Sequence, residues 1–109
     1  MPIQLRERKS MSSGSTRNVM IDLADDLQDG DTLVDPPTVT TTAGMNITNK
    51  HVNNVQLFDR VNNRYVEPGT AVTFTVNSST PGSYTITFEA DTTSTPVETL
   101  VYELVLTVV

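Results

Sequence analysis

At 109 residues the chain has the size of one domain, and it contains one histidine, no cysteine and no tryptophan. The lack of thiols excludes cysteine-based metal clusters, disulfide scaffolds and cysteine nucleophiles. The formal charge of −6 is unevenly placed, because residues 1–17 carry four cations and one anion, a net +3, and the rest of the chain carries −9.

The first 17 residues combine basic side chains with serine and glycine, a composition that buries too little apolar surface to offset the entropy of ordering. We therefore predict a flexible, extended basic arm over residues 1–17 and a folded domain over residues 18–109. The negative charge of the folded part argues against a nucleic-acid partner. No apolar run reaches the ~20 residues of a membrane helix. The predicted partner-binding residues are the cations of the arm, namely Arg6, Arg8, Lys9 and Arg17.

Alternating apolar residues from Val19 to Leu23 predict a first strand. The acidic segment that follows permits at most one helical turn, because Asp29-Gly30-Asp31 stops a longer helix and makes Gly30 a structural turn residue. Asp35-Pro36-Pro37 then interrupts the β-prone sequence, since proline has no N–H for a ladder. Such a proline pair is expected at a sheet edge or a crossover.

The run from His51 to Phe58 predicts a central strand, and a polar loop follows it. Pro68 and Gly69 occupy the second and third positions of a predicted type II turn, where proline fixes φ and glycine accepts positive φ. The segments Ala71–Asn77 and Tyr84–Ala90 alternate cleanly between apolar and polar residues. The last segment, from Glu98 to Val109, is apolar on both faces, which predicts burial of both.

About seven short strands, separated by turns and without a convincing helix, predict an all-β fold, an immunoglobulin-like β-sandwich. Tyr84 begins the penultimate strand, where such sandwiches place a tyrosine whose hydroxyl returns to the backbone, and we assign it a structural role. The predicted core comprises Ile21, Leu23, Leu27, Val34, Val55, Leu57, Val72, Phe74, Val76, Tyr84, Ile86, Phe88, Tyr102, Leu104 and Leu106.

Chemistry-bearing residues are few. His51 is the only side chain with a near-neutral intrinsic pKa, and its polar surroundings predict a hydrogen-bonded surface histidine. We therefore predict no catalytic residues, no enzyme activity and no cofactor. The acidic segment offers weak candidates for calcium ligands, but its spacing does not match an EF-hand, and a solvated acidic edge is the favoured interpretation. These candidates are Asp25, Asp29 and Asp31.

Two segments resemble small structural proteins of tailed bacteriophages. The stretch from Met20 to Val34, MIDLADDLQDGDTLV, resembles their Ile-Asp…Leu-x-x-Gly-Asp-Thr-Leu segment. The stretch GSYTIT from Gly82, the Thr-Thr pair that follows Asp91 and the final apolar strand resemble their C-terminal half. The resemblance spans residues 18–109 and departs at Thr95-Pro96-Val97, where the relatives have a Gly-Arg pair.

The resemblance implies a non-enzymatic virion protein with an immunoglobulin-like domain, assembled in the host cytoplasm. The expected role is a capsid decoration or cement protein that binds the major capsid protein as a homo-oligomer or symmetric array. A head–tail neck or tail accessory subunit is the first alternative. A receptor- or glycan-binding module is the second, favoured if Tyr65 or Tyr102 lines a groove.

Overall fold

The computed structural model describes residues 4–28 and 30–109, with the backbone alone for residues 4–7. Short strands dominate it, as the repeated apolar–polar alternation predicts, and Ala24–Asp26 form a single 3-10 turn. The predicted all-β fold is confirmed. The strands are β1 (Gln4–Met11), β2 (Thr16–Asp22), β3 (Thr38–Thr41), β4 (Asn46–Val52), β5 (Leu57–Asp59), β6 (Arg64–Val66), β7 (Ala71–Asn77), β8 (Gly82–Asp91) and β9 (Thr99–Val108).

Two sheets form the sandwich. The four-stranded sheet has the order β1-β9-β8-β3, the three-stranded sheet has the order β2-β7-β4, and β5 and β6 pair as a separate hairpin. With that hairpin set aside, the second, fourth and fifth strands share one sheet and the third, sixth and seventh share the other. This is the strand distribution of immunoglobulin-like sandwiches, with the first strand placed beside the last.

The core lies between the sheets and follows the two-residue period of the strands. Phe74 of β7, Ile86 and Phe88 of β8 and Leu104 of β9 are at most 2% exposed. Burial of one such side chain stabilises the fold by about 1.5–3 kcal/mol. Most of the predicted core is confirmed, and Met11, Val19, Leu33, Val39, Met45, Val52, Ala90 and Val108 also belong to it.

Four of the predicted core residues lie outside this cluster or at its margin. Val34 is 45% exposed because its neighbour Leu33 points inward, and a shift of one residue reverses the face of an extended chain. Leu27 is only partly buried against the cluster. Val55 is 57% exposed, and Leu57 is half-buried, because the chain bends before them.

Residues 4–17 correct the prediction of a flexible arm. In its place, β1 pairs in parallel with β9, from Gln4 opposite Tyr102 to Met11 opposite Val108. Backbone hydrogen bonds to β9 hold β1 in place, and they do not depend on which side chains β1 carries. In addition, the Met11 side chain is buried, with 4% exposure. The amino-acid composition of residues 1–17 reflects neither the backbone pairing with β9 nor the burial of Met11. The sandwich therefore begins at β1 and not at residue 18.

The predicted central strand from His51 to Phe58 is also corrected, because it is two strands joined by a bend. Asn53 sits at the bend with 3% exposure. Its amide nitrogen donates to the carbonyls of Val55 and Glu67, and its side-chain oxygen accepts from the backbone N–H groups of Thr70 and Ala71. One asparagine thereby joins the end of β4 to the turn before β7.

The turn and tyrosine predictions agree with the structure. Gly69 has φ +82°, and a Cβ there would lie 2.9 Å from the Thr32 side chain. Gly30 has φ +78°, as a turn glycine requires. The Tyr84 hydroxyl donates to the Thr80 carbonyl at 2.7 Å, so the predicted return to the backbone is confirmed.

The last strand differs from its prediction on one face. β9 lies between β1 and β8, and its inward residues Leu104 and Leu106 are buried. Its outward residues Val101 and Val105 are only half-buried, since neighbouring strands shield their flanks and leave their tips accessible. Both faces were predicted to be buried, and the outer face is not.

Met11→Ala tests the ordered first strand. We expect a loss of about 2 kcal/mol in the free energy of unfolding, at the low end for a buried methionine because β1 lies at an edge. The control Ser10→Ala, at an exposed position of the same strand, is expected to change stability by less than ~0.5 kcal/mol. Urea denaturation measures both, and a neutral Met11→Ala variant would contradict the pairing of β1.

Asn53→Ala tests the bend. Four hydrogen bonds that each contribute about 1 kcal/mol predict a loss of ~4 kcal/mol, while the exposed neighbour substitution Asn54→Ala is expected to be nearly neutral. Thermal and urea unfolding of both variants give the comparison. Equal stabilities for the two variants would refute this role of Asn53.

Candidate functional site

The outer face of the three-stranded sheet carries a ladder of polar side chains. Strand alternation turns Val72, Phe74 and Val76 inward, so Thr73 and Thr75 point outward. The Thr75 hydroxyl donates to the side-chain oxygen of Asn18 on β2 at 2.9 Å. This cross-strand hydrogen bond links the polar side chains of β7 and β2 on the outer face of the sheet.

The β5–β6 hairpin covers one end of this outer face. Ala71 shares its face of β7 with Thr73 and yet has 0% exposure, and Val66 of β6 is 1% exposed. Both lie outside the cluster between the sheets. Arg64 Nε lies 3.3 Å from Asp22 Oδ2, and Asp22 pairs with Ala71 in the sheet register. The hairpin is therefore a partial third layer.

Asp59 closes the loop of the hairpin. Its carboxylate accepts hydrogen bonds from the Asn62 side chain at 2.8 Å and from the backbone N–H groups of Val61 and Asn62. The Asn62 side-chain bond is the main reason why the pKa of Asp59 lies below its ordinary value of 3.8. The backbone bonds and the positive charge of Lys9 lower the pKa further, while burial opposes them.

A cleft of about 420 Å³ opens where the hairpin cover ends. Leu57 of β5 forms one wall, and the uncovered polar face of the sheet forms the floor. This volume lies in the range of ligand pockets. The side chains that line the cleft include Asn18, Met20, Asn49, His51, Thr73 and Thr75.

His51 reaches the cleft through an irregularity in β4. The register with β7 shifts between Thr48 and His51, and Asn49 has φ +54°. His51 Nδ1 lies 2.7 Å from the Asn49 carbonyl, and Nε2 lies 2.8 Å from the Thr73 hydroxyl. Both ring nitrogens of His51 thus form hydrogen bonds to other residues of the chain, as expected for a hydrogen-bonded surface histidine.

The predicted basic docking residues are separated by the fold. Arg8 is exposed on β1, and Arg17 is exposed on β2. Lys9 is half-buried and shares a small crevice with Arg17 at the edge of the sandwich. The side chain of Arg6 lies outside the described residues. The structure thus brings Lys9 and Arg17 together and directs Arg8 away from them, because successive residues of a strand face opposite sides.

The weak metal candidates have protein partners. Asp25 lies 3.6 Å from Arg64, and the Asp31 carboxylate accepts from the Thr93 hydroxyl at 3.1 Å. Asp29 lies outside the described residues. Among the side chains of residues 8–28 and 30–109, no three histidine or acidic residues are grouped to hold a metal ion.

An exposed aromatic pair on the hairpin was missed by the sequence analysis. Phe58 and Tyr65 are 46% and 64% exposed, and their ring centroids lie 5.1 Å apart in an edge-to-face arrangement. They face away from Leu57 and Val66, which are their neighbours along the strands. We call Val55, Phe58, Val61 and Tyr65 the apolar hairpin surface. Tyr102, by contrast, is a core residue beside Phe88.

Comparison with known proteins identifies no relative, since no family model, no curated protein and no solved structure matches the chain. In the part of the chain that the structure describes, the 3-10 turn is too short to cross a lipid bilayer, and no other helix is present.

Asp59→Asn tests the loop of the hairpin through the pH dependence of stability. A lowered pKa in the folded state means that Asp59 contributes stability above the ordinary pKa of 3.8, which is lost as the pH falls through the folded-state value. We expect Asp59→Asn to be less stable than wild type at pH ~7, with a smaller difference at acidic pH. The control Glu89→Gln, at an exposed position on β8, is expected to show no such convergence in urea denaturation. A constant difference for Asp59→Asn would contradict the assigned carboxylate bonds.

Proposed function

We propose that this domain is a non-enzymatic structural subunit of a tailed-phage virion, a decoration or cement protein that binds the shell of the major capsid protein. The resemblance of the Met20–Val34 and Gly82–Val109 segments to phage structural proteins supports the class. The all-β sandwich fits it. The choice of a docking role rests on the apolar hairpin surface.

Exposed apolar residues are concentrated on this surface. Of the seven large hydrophobic residues that are exposed in the described chain, four belong to it, and Val61 reaches 84% exposure. The Phe58 and Tyr65 rings contact each other, and exposed apolar surface of this kind marks protein interaction sites, in which aromatic residues dominate the binding energy. The edge-to-face contact restricts the rotation of the two rings, and a surface that is ordered before binding loses less conformational entropy on binding.

The hairpin replaces the flexible arm as the proposed docking element. The ion pairs of Arg64 with Asp22 and Asp25 hold it against the sandwich. Arg17 is an exposed cation on β2, in the sheet that the hairpin covers, and can steer the domain toward an acidic shell surface, whereas Arg8 lies on the other sheet. Repetition over a symmetric shell turns weak individual contacts into stable decoration.

A neck or tail accessory subunit is the alternative of the same class, and copy number separates the two. The experiment isolates virions encoded by the same genome as this chain and counts its copies by quantitative mass spectrometry. Hundreds of copies per particle are expected for decoration. A ring of about a dozen copies would favour the neck, and absence from the particle would overturn a virion role.

Phe58→Ser and Tyr65→Ser test the docking surface on particles stripped of this subunit. Loss of an exposed aromatic anchor is expected to weaken rebinding at least ~10-fold, because such anchors contribute more than about 1.4 kcal/mol. The control Thr85→Ser changes the outer face of the other sheet. Equal occupancy of all three variants in a sedimentation assay would rule out the hairpin as the docking element.

A further inference from the structure

We propose that the cleft between the hairpin and the outer face of the β2-β7-β4 sheet binds an uncharged, polyhydroxylated ligand, the chemistry of a neutral sugar. This site is separate from the apolar hairpin surface and does not depend on docking to a particle.

The lining chemistry selects a neutral polar ligand. The chain has 13 acidic and 7 basic residues, yet among the side chains that the structure describes no carboxylate, ammonium or guanidinium group lines the cleft. A charged ligand would lose hydration there without gaining an ion pair. The lining amides and hydroxyls both donate and accept hydrogen bonds, as sugar hydroxyls do.

The hydrogen bonds along the floor have a direction that matches a pair of hydroxyls. Asn49 Nδ2 donates to the Thr75 hydroxyl at 3.4 Å, and that hydroxyl donates to Asn18 Oδ1. This order leaves the side-chain oxygen Oδ1 of Asn49 as an acceptor and the side-chain NH₂ group of Asn18 as a donor. A ligand with neighbouring hydroxyls can donate to the first and accept from the second.

The walls supply an apolar contact for the C–H face of a sugar ring. Leu57 and Met20 are half-buried at the cleft, so both present apolar surface without being part of the core between the sheets. Sites for small ligands combine such apolar walls with a few placed polar groups.

The irregularity of β4 is what brings two of the polar residues to the cleft. Two residues of β4, Asn49 and Lys50, lie opposite the single residue Phe74 of β7, and Asn49 adopts a positive φ. Bulges re-aim side chains, and backbone strain is found at binding sites. The bonds of His51 to Asn49 and Thr73 then fix this segment against β7.

The test is a titration of the full chain, labelled with ¹⁵N, with maltotriose, cellotriose or chitotriose, and with sialyllactose as the charged comparison. At least one neutral trisaccharide is expected to give saturable shifts of Asn18, Asn49, His51 and Thr75 amides. Shifts that appear with sialyllactose alone, or with no probe, would overturn the proposal.

Asn18→Ala and Asn49→Ala remove the donor and the acceptor that the cleft offers. Each is expected to weaken binding of the active trisaccharide about 10-fold, the equivalent of one well-made hydrogen bond. Thr85→Val, a polar-to-apolar change on the four-stranded sheet, is the matched control and is expected to bind as wild type does. Unchanged affinity in both asparagine variants, with dispersed spectra that confirm folding, would overturn the proposal. Asn18→Ala is expected to rebind to stripped particles at wild-type occupancy. That outcome separates sugar binding in the cleft from docking through the hairpin.

Discussion

A single buried amide determines where the outer layer of this domain lies. Asn53 bonds to the backbone at Val55, Glu67, Thr70 and Ala71, which belong to both ends of the segment between β4 and β7. The donors and the acceptor of a buried amide need hydrogen-bond partners, because each one left without a partner would cost about 1–3 kcal/mol of stability. The ends of the segment are therefore held together, and the chain between them folds back as the β5–β6 hairpin.

The two surfaces with functional interest both depend on that hairpin. The inner side of the hairpin buries Val66 and Ala71. The hairpin cover ends at Leu57, and the cleft opens there. The outer side of the hairpin presents Phe58 and Tyr65 to solvent. Seven strands of the chain form an ordinary two-layer sandwich, and the third layer is what gives the domain a concave polar site and a convex apolar one.

The sequence predicts well wherever local alternation is decisive. The strands β7 and β8, the turn at Gly69 and the hydroxyl bond of Tyr84 follow from residue order alone. The first strand does not, because its order comes from backbone pairing with β9, almost a hundred residues away. The bend at Asn53 was missed for a related reason, since its partners lie up to 18 residues ahead and turn an apparent strand into two.

The candidate sites were harder to predict than the fold. The cleft joins residues of β2, β4, β5 and β7, and no segment alone contains its pattern. The basic residues of the first 17 were grouped by sequence position, whereas strand alternation places Arg8 and Lys9 on opposite faces. The aromatic pair had a local signal, because Phe58 and Tyr65 flank a polar loop, but its exposure follows from the inward direction of Leu57 and Val66.

Thiol labelling tests the third layer most directly, because the chain has no cysteine of its own. Single substitutions Ala71→Cys and Thr75→Cys place thiols on the same outward face of β7, one under the hairpin and one beyond it. The fold described here predicts slow maleimide labelling of the first and fast labelling of the second in the native protein, with equal rates in denaturant. Equal rates in the native protein would contradict the covering position of the hairpin.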